Sequence, residues 1–389
     1  MSKIELRLES PLMVGGKRLK DNVLESLDYM PGSVMRAAFA KYILLNCPLY
    51  IPDKCDECGR FNYVYIRDND KCRECTFYDC CSNFSNIKFS FFYPKDFEII
   101  PFTSRKCKSY DEHGFIDMLI PPKNLRCKRC IEKNKGLIAD EKVGRLDSAR
   151  GFRIGEQCVK VEREVFTRTS VDPYTLTAKE GSLYSLYAVK PGITFTGEID
   201  GFEILNLKAG SEIYVGSYNT VGFGRFRIEN ISEEHSVKDM YNDILKFNER
   251  IKDTAYGHDK TYIPMLFVSD AKLGIEKYNF DKPLSNEKYK AIWKRLLFTD
   301  EMAEFEVEKV FSEQGIYRGY DTSRKWGSWE KDPQVLVLKG TTILASTIKP
   351  ISETIGILNK LQDEGIGLER ENGFGKVEVC NELHVKGEI

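Results

Sequence analysis

The chain is poor in histidine and tryptophan, carries almost no net charge and contains no long apolar run. There are 58 Lys+Arg against 59 Asp+Glu, a formal net charge of −1, which excludes a protein that coats nucleic acid by bulk charge. No window approaches 18 uninterrupted apolar residues, which excludes a single helix spanning a bilayer. The opening MSKIELRLES alternates charge and apolar side chains and lacks the apolar core of a secretory signal, so a cytoplasmic location is expected. Only His113, His235, His258 and His384 supply imidazole. What remains is the composition of a folded protein, 42% hydrophobic and 12% aromatic over 389 residues. At roughly 100–200 residues per domain, that length predicts two or three domains.

Cysteine is plentiful, with twelve in the chain, and its spacing is informative. Cys55 and Cys58, Cys72 and Cys75, and Cys127 and Cys130 are three CxxC pairs. Each pair can put two thiolates on one metal, and two pairs complete a tetrahedral zinc site. The first two pairs stand 13 residues apart, as in a ribbon-like four-thiolate site. The third pair needs two more ligands. Cys107 is the natural third, and His113, Cys80 and Cys81 are alternatives for the fourth. The residues suffice for one zinc or two, and the pairing of knuckles is open. Cys47, Cys158 and Cys380 stand alone and read as unliganded thiols. With one histidine in this region, the metal reads as structural, a staple for an insertion without its own core.

Ile4, Leu6 and Leu8 alternate with Glu5, Arg7 and Glu9, the period of a half-buried strand. A loop over 11–27 follows and contains Lys17 and Arg18. Met30-Pro31-Gly32-Ser33 then predicts a helix over about 34–46 capped by Ser33, with Arg36 beside its N-terminus. Residues 47–135 read as the zinc insertion. Residues 123–168 hold 13 basic against 7 acidic side chains, the local patch that a nucleic-acid partner would need. Two strand-like runs, about 166–172 and 180–187, flank an exposed hairpin, and strands continue at 194–204 and 225–231. From 236 the pattern restarts with a helix at 237–250 and a strand at 262–269. An amphipathic helix at 353–363, closed by Gly365, precedes a strand at 376–379.

Two late segments match one another. V-G-S-Y-N-T-V-G-F-G-R-F-R-I (215–228) aligns with I-G-L-E-R-E-N-G-F-G-K-V-E-V (366–379). Each has a glycine, a polar stretch, Gly-Phe-Gly, a cation and an alternating strand. Such a self-match predicts two copies of one domain. Glycines allow close backbone approach to phosphate, the cation neutralises charge and an aromatic ring can stack on a base. Neither turn carries a Walker Lys-Ser/Thr pair or precedes a helix as a dinucleotide fingerprint requires.

The opening strand, the P-G-S-V-M-R-A-A-F helix start, the Cys-rich stretch, the T-R-T-S-V-D…E-G-S-L-Y segment and the two glycine turns resemble, in that order, the RAMP (repeat-associated mysterious protein) superfamily of CRISPR–Cas systems. The zinc insertion and paired loops are most similar to the subunit of type III effector complexes, subtype D in particular, that caps the guide RNA. The resemblance implies an α+β fold of two ferredoxin-like (RRM-like) domains, 1–235 with the zinc-binding insertion at 47–135, and 236–389 with the terminal glycine-rich loop. It implies a non-catalytic RNA-binding subunit in antiviral defence that holds the 5′ tag of the guide RNA (crRNA). Its partners would be the large signalling subunit, the backbone RAMP subunits and, indirectly, target RNA, with no membrane. The alternatives are an endoribonuclease that processes precursor guide RNA, or a zinc-stapled assembly module without RNA contact. RAMP nucleases usually carry an early histidine as general base, and none precedes His113 here. Asp28 and Asp172 are the acids considered for a metal-assisted cut, although a loop Asp is more often a turn cap.

The expected RNA-binding residues are Lys17, Arg18, Arg36, Arg168, Tyr184, Gly222, Phe223, Gly224 and Arg225 in the first half. In the second they are Arg370, Gly373, Phe374, Gly375 and Lys376. The expected metal ligands are Cys55, Cys58, Cys72, Cys75, Cys107, Cys127 and Cys130. Arg324, Lys325, Trp326 and Trp329 would add a cation and stacking rings, or a packed interface.

Overall fold

The computed structural model describes every residue except 16, 19–21, 48, 51–69, 123, 134–143, 206, 234–238, 253, 255, 257–258, 276–284, 319–331 and 389. Cys55, Cys58 and the 324–329 motif therefore lie outside the described residues.

The Ser2–Leu8 strand buries Ile4, Leu6 and Leu8 as its alternation requires. It is the middle of an antiparallel sheet, with Thr194–Asp200 on one side and Arg225–Ser232 on the other. Lys88–Phe89 and Tyr93–Pro94 pair with Thr194–Asp200, and Glu212–Tyr214 extends the far edge. The Gly32–Leu45 helix packs Met35, Ala38, Phe39 and Ile43 on this sheet. Its N-cap is Pro31 and no side chain caps it, so Ser33 lies inside the helix rather than at its cap. The Cys-rich stretch is likewise not one continuous insertion. Lys88–Phe89 and Tyr93–Pro94, between its cysteines, hydrogen-bond into the first sheet. The apolar run Phe89-Ser90-Phe91-Phe92-Tyr93 has the β-branched or aromatic composition of a strand and seats Phe89 and Phe92 in the core.

A second sheet repeats the plan. Thr261–Phe267 lies between Thr342–Thr347 and Val377–Val379, and Glu306–Phe311 pairs with the far side of Thr342–Thr347, all antiparallel. The Asn286–Leu297 helix, capped by Ser285, and the Ile351–Glu364 helix bury Trp293, Leu297 and Leu358 in its core. In both sheets the four principal strands, numbered by chain order, lie fourth–first–third–second. That arrangement is mixed α+β and consistent with a ferredoxin-like fold. In the first half, the place after the third strand holds only a short 3-10 turn, Phe202–Leu205.

The halves meet across an aromatic cluster of Tyr29, Phe91, Phe152 and Phe374. A polar seam runs beside it. Tyr29 Oη donates to Asp270 Oδ2 at 2.5 Å, and Tyr93 Oη donates to the Val268 carbonyl at 2.6 Å. Farther along, fully buried Asp117 faces fully buried His384 at 3.0 Å and Arg250 at 3.7 Å. Burial pushes the Asp117 carboxyl up, but the facing His384, together with the Leu119 N–H, outweighs it and holds that carboxyl below the usual range. Asp117→Ala strands Arg250 without its carboxylate in the interior, and should cost about 3–5 kcal/mol in denaturant unfolding. A depressed carboxyl contributes stability above its unfolded pKa of about 3.9, and that contribution disappears as pH falls through the lower folded value. The wild type should therefore lose stability below about pH 4 more steeply than the alanine variant.

Candidate metal centre and nucleic-acid interface

Cys107 ends the Ser104–Cys107 strand, His113 ends a 3-10 turn, and Cys127 and Cys130 sit at the start of the Lys128–Lys133 helix. All four are buried, and their ligand atoms lie within 4.8 Å of one another. Cys107 Sγ is 3.5 Å from Cys130 Sγ, and His113 Nδ1 is 3.3 Å from Cys127 Sγ and 3.4 Å from Cys130 Sγ. Tetrahedral ligation with Zn–S of about 2.3 Å and Zn–N of about 2.0 Å separates sulfurs by about 3.8 Å and nitrogen from sulfur by about 3.5 Å. The donor set thus fits a closed Cys3His site that could hold a metal ion, consistent with a structural zinc. Of the three alternatives for the fourth ligand, His113 is the one brought here.

The second coordination layer fits as well. Burial raises the Cys107 thiol, but N–H groups of Ser109 and Tyr110 donate to its sulfur and, with Cys130 and Cys127, bring it below its ordinary value. Cys130 is pushed up to about 12 by burial and by its thiol neighbours. A cation among them reverses that logic and deprotonates the set. Leu146 is the apolar side chain packed on the three sulfurs, so this corner has little core of its own.

The two glycine turns have one backbone. Tyr218 and Glu369 are left-handed at φ +62 and +55, a 3-10 turn follows in each, and Gly222 and Gly373 are left-handed at +89 and +76. Gly224 and Gly375 both sit at +73. Each turn leads into the last principal strand of its sheet. Their surroundings differ. Nothing lies within 4 Å of where a Cβ on Gly222 would stand, whereas one on Gly373 would meet the backbone of Phe89 and Ser90. The first turn is uncovered at Gly222, although a Cβ on Gly224 would meet the Val215 carbonyl, and its N–H groups are already used: Gly222 donates to the Asn219 carbonyl at 3.1 Å, Phe223 to Tyr218 at 3.2 Å and Gly224 to Pro11 at 2.8 Å. The second turn is docked on the other half.

This difference sorts the expected RNA-binding residues. Around the first turn stand Arg168, Tyr184, Gly222, Phe223, Gly224 and Arg225. The Arg168 guanidinium lies 5.2 Å from the Phe223 ring centroid, and Tyr184 packs in the same cluster. Lys17–Arg18 is a strand of the neighbouring sheet, paired with Val23–Glu25, which runs beside Tyr184–Val189. Arg225 carries its charge against Glu9, at 3.2 Å. Arg36, Arg370, Gly373, Phe374, Gly375 and Lys376 lie elsewhere. Arg36 Nε donates to Asn372 Oδ1 at 2.7 Å, and its other nitrogens donate to the carbonyls of Phe84, Ile87 and Glu371. It clamps the second turn to the first half. Arg370 pairs with Glu364 at 3.2 Å, and Lys376 lines a 420 Å³ cavity between the halves with Lys3, Glu98, Glu198 and Glu378.

Of the rings expected to stack on bases, Tyr184 is half-buried and the two phenylalanines are not at the surface. Phe223 is 3% and Phe374 2% exposed. Phe223 meets Phe166 and Tyr218, and Phe374 meets Phe91 and Tyr317. The most exposed ring is instead on the hairpin between Arg163–Arg168 and Tyr184–Val189, where Tyr174 is 94% and Leu176 78% exposed among the described residues. The exposed hairpin expected from the sequence is present, and Tyr174 and Leu176, to which the sequence assigns no role, stand on it; Tyr and Leu in a turn-rich segment with no apolar partner are the signal that could have found them. Five of the thirteen basic side chains in 123–168 are held in ion pairs: Lys128 with Glu388, Arg129 with Glu156, Arg150 with Glu313, Arg153 with Glu98, and Arg163 with Asp28 and Glu25. Asp172 caps its hairpin turn, accepting from Tyr174 N and Thr175 N at 2.9 and 3.0 Å.

No family model and no curated protein matches the chain. Among solved structures, it is similar to a chain of the type III-B Cmr-beta complex bound to cognate target RNA and AMPPnP, with 14% identity, 92% of this chain and 89% of that one covered, and a TM-score of 0.41. It is similar to a chain of the type III-B Cmr-beta complex bound to cognate target RNA at 15% identity, with the same coverage and a TM-score of 0.38. A type IV-B CRISPR complex contains a chain 8% identical, covering 61% of this chain and 92% of that one, with a TM-score of 0.30. Likeness of this degree carries no argument about what the chain does.

Proposed function

We propose that the chain is a non-catalytic RNA-binding subunit of a type III CRISPR effector complex, built from two ferredoxin-like RAMP domains, 1–235 and 236–389. It holds the 5′ tag of the guide RNA, abuts the backbone RAMP subunits and docks the large signalling subunit. The Cys107–His113–Cys127–Cys130 centre holds a structural zinc. The observation that carries the reading is the duplicated turn, the same succession of left-handed and 3-10 residues at the same place in two sheets. In this reading only the first copy grips RNA, because Gly222 is uncovered and Arg168, Tyr184 and the 163–189 hairpin stand beside it, so contact is through side chains rather than through the turn's N–H groups, which are already paired. The second copy holds the two halves together. Exposed Tyr174 and Leu176 supply stacking and apolar contact to splayed bases or to a neighbouring subunit.

Purification of the chain from its host and sequencing of bound RNA tests this. A shared leader of several nucleotides on varied spacers is the expected result. Arg168→Ala with Arg225→Ala should weaken binding and lower the salt slope by about one per phosphate contact removed. Unchanged affinity and slope in the double variant would remove the first turn from the interface, and a cleaved product from purified protein would favour a nuclease instead.

A further inference from the structure

We propose that Lys41, on the Gly32–Leu45 helix, is a phosphate-binding residue at the first glycine turn, and that with Arg168 it brackets the turn, so that single-stranded RNA crosses between two cations. This rests on the reading above that the first turn faces RNA, and adds to it a residue outside every expected set. One helix serves both turns. Arg36 reaches an asparagine of the second, Nε to Asn372 Oδ1 at 2.7 Å, and Lys41 reaches an asparagine of the first, Nζ to Asn219 Oδ1 at 3.4 Å. The two cations are spent to different degrees. A guanidinium has five donors, and Arg36 turns its own on Asn372 and on the carbonyls of Phe84, Ile87 and Glu371. An ammonium has three, and Lys41, exposed on the helix, makes one long bond among the described residues. Asn219 does not need that bond, because its Nδ2 donates to the Val215 and Phe223 carbonyls at 3.3 and 3.1 Å and so ties the turn together. Asn219 steers Lys41 to the turn.

Arg168 meets the same turn at Phe223, its guanidinium 5.2 Å from the ring centroid. Neither Lys41 nor Arg168 has a carboxylate partner among the described residues, whereas Arg225 has Glu9 at 3.2 Å. Between Asn219 and Phe223 lie Thr220, Val221 and Gly222, all exposed. The charge of the two copies differs in the same sense. Residues 215–224 contain no Asp or Glu, whereas 366–375 contain Glu369 and Glu371. Glu369 pairs with Lys272 at 2.6 Å, so the second copy is neutralised within the chain. An exposed crest without acids, flanked by two cations with donors to spare, suits a phosphodiester backbone, and cationic side chains are the ordinary source of phosphate contacts. Because the N–H groups of the turn are already paired, these side chains are the donors left for the strand.

Binding of a labelled single-stranded oligouridylate to the full chain, titrated with potassium chloride, tests the assignment. Lys41→Ala should weaken binding about five- to tenfold near about 0.1 M salt and lower the slope of log K against log salt by about 0.7–1. Arg168→Ala should do the same, and the two losses should add in the double variant. Lys41→Arg should keep the slope. Lys41 buries no group, so Lys41→Ala should melt with the wild type, and a lowered slope at an unchanged melting temperature separates contact from a structural role. Lys360→Ala, which removes an exposed lysine paired with Glu301 in the second half, should leave the slope unchanged. A slope unchanged in Lys41→Ala but lowered in Arg168→Ala would overturn the role of Lys41 and leave the first turn as the RNA site. Slopes unchanged in both variants, or no RNA bound by the wild type, would overturn that reading as well. An equal loss in Lys360→Ala would make the effect one of bulk charge and overturn the assignment.

Discussion

Gly375→Ala should leave little folded protein, whereas Gly222→Ala should fold with a modest loss. Both glycines are left-handed, at φ +73 and +89, and a side chain there costs about 1–2 kcal/mol from conformation alone. They differ in what a Cβ would meet. At Gly222 there is nothing within 4 Å, so the conformational cost is the whole cost. At Gly375 the Cβ would fall on the Ile366 carbonyl oxygen, a backbone atom that cannot rotate away. Neither side of the turn can yield. Gly375 N donates to the Asp270 carbonyl at 2.9 Å and Ile366 N donates to the Gly375 carbonyl at 2.8 Å, so moving one strand breaks the other's bond. Asp270 in turn accepts from Tyr29 across the seam. The total should exceed about 4–5 kcal/mol, comparable with the stability of a whole domain. Soluble yield and melting temperature of the two variants decide it. A Gly375→Ala protein that melts within a few degrees of Gly222→Ala would show that the docked turn is not rigid.

Cys127→Ser should release one metal ion per chain and unfold the surrounding corner. Replacing a ligand in a closed site removes most of its affinity, and for small zinc modules binding supplies about 10–16 kcal/mol at neutral pH, so folding follows the metal. The corner depends on it because its strands are short. Ser104–Cys107 pairs with three-residue strands at Phe115–Asp117 and Leu146–Ser148, and its sulfurs have Leu146 as packing. Chelation of the wild type should give the same result. Limited proteolysis is the readout, with new cleavage between residues 107 and 133 while the first sheet stays intact. Cys158→Ser, a half-buried thiol outside the site, should keep both metal content and protease resistance. Zinc content unchanged in Cys127→Ser would mean that the four ligands converge for another reason.

Much of the architecture was legible because it rests on local periodicity. Ile4, Leu6 and Leu8 face inward as alternation demands, and helices appear at Met240–Ile251 and Ile351–Glu364 close to where apolar spacing puts them. The match between the glycine segments is reproduced angle by angle, since left-handed residues leave glycine as a visible trace. The side-chain environment of those turns was not legible. A Phe between two glycines reads the same whether its ring meets solvent or core, and Phe223 and Phe374 meet core. The basic segment misled for a related reason. The carboxylates that neutralise it come from distant positions, Glu313 for Arg150 and Glu388 for Lys128, and only the fold brings them near. Cysteine spacing pointed to Cys107, Cys127 and Cys130. Choosing His113 over Cys80 and Cys81 needed the tertiary structure, because Cys80 belongs to the first core.

The seam beside Asp117 bears on how the polypeptide is made. Asp117 N donates to the Gly387 carbonyl at 2.8 Å, Ile116 bridges to Glu388, and His384 supplies the imidazole. A layer that includes residues 115–117 is therefore completed only by residues 384–388. Chains grow from the N-terminus at about 5–20 residues per second, so this layer waits some tens of seconds on the ribosome for its last partners. During that interval Asp117 stands without its imidazole. Until residues 384–388 have been made, this acid is expected to stay open to water, and the layer closes only once they arrive.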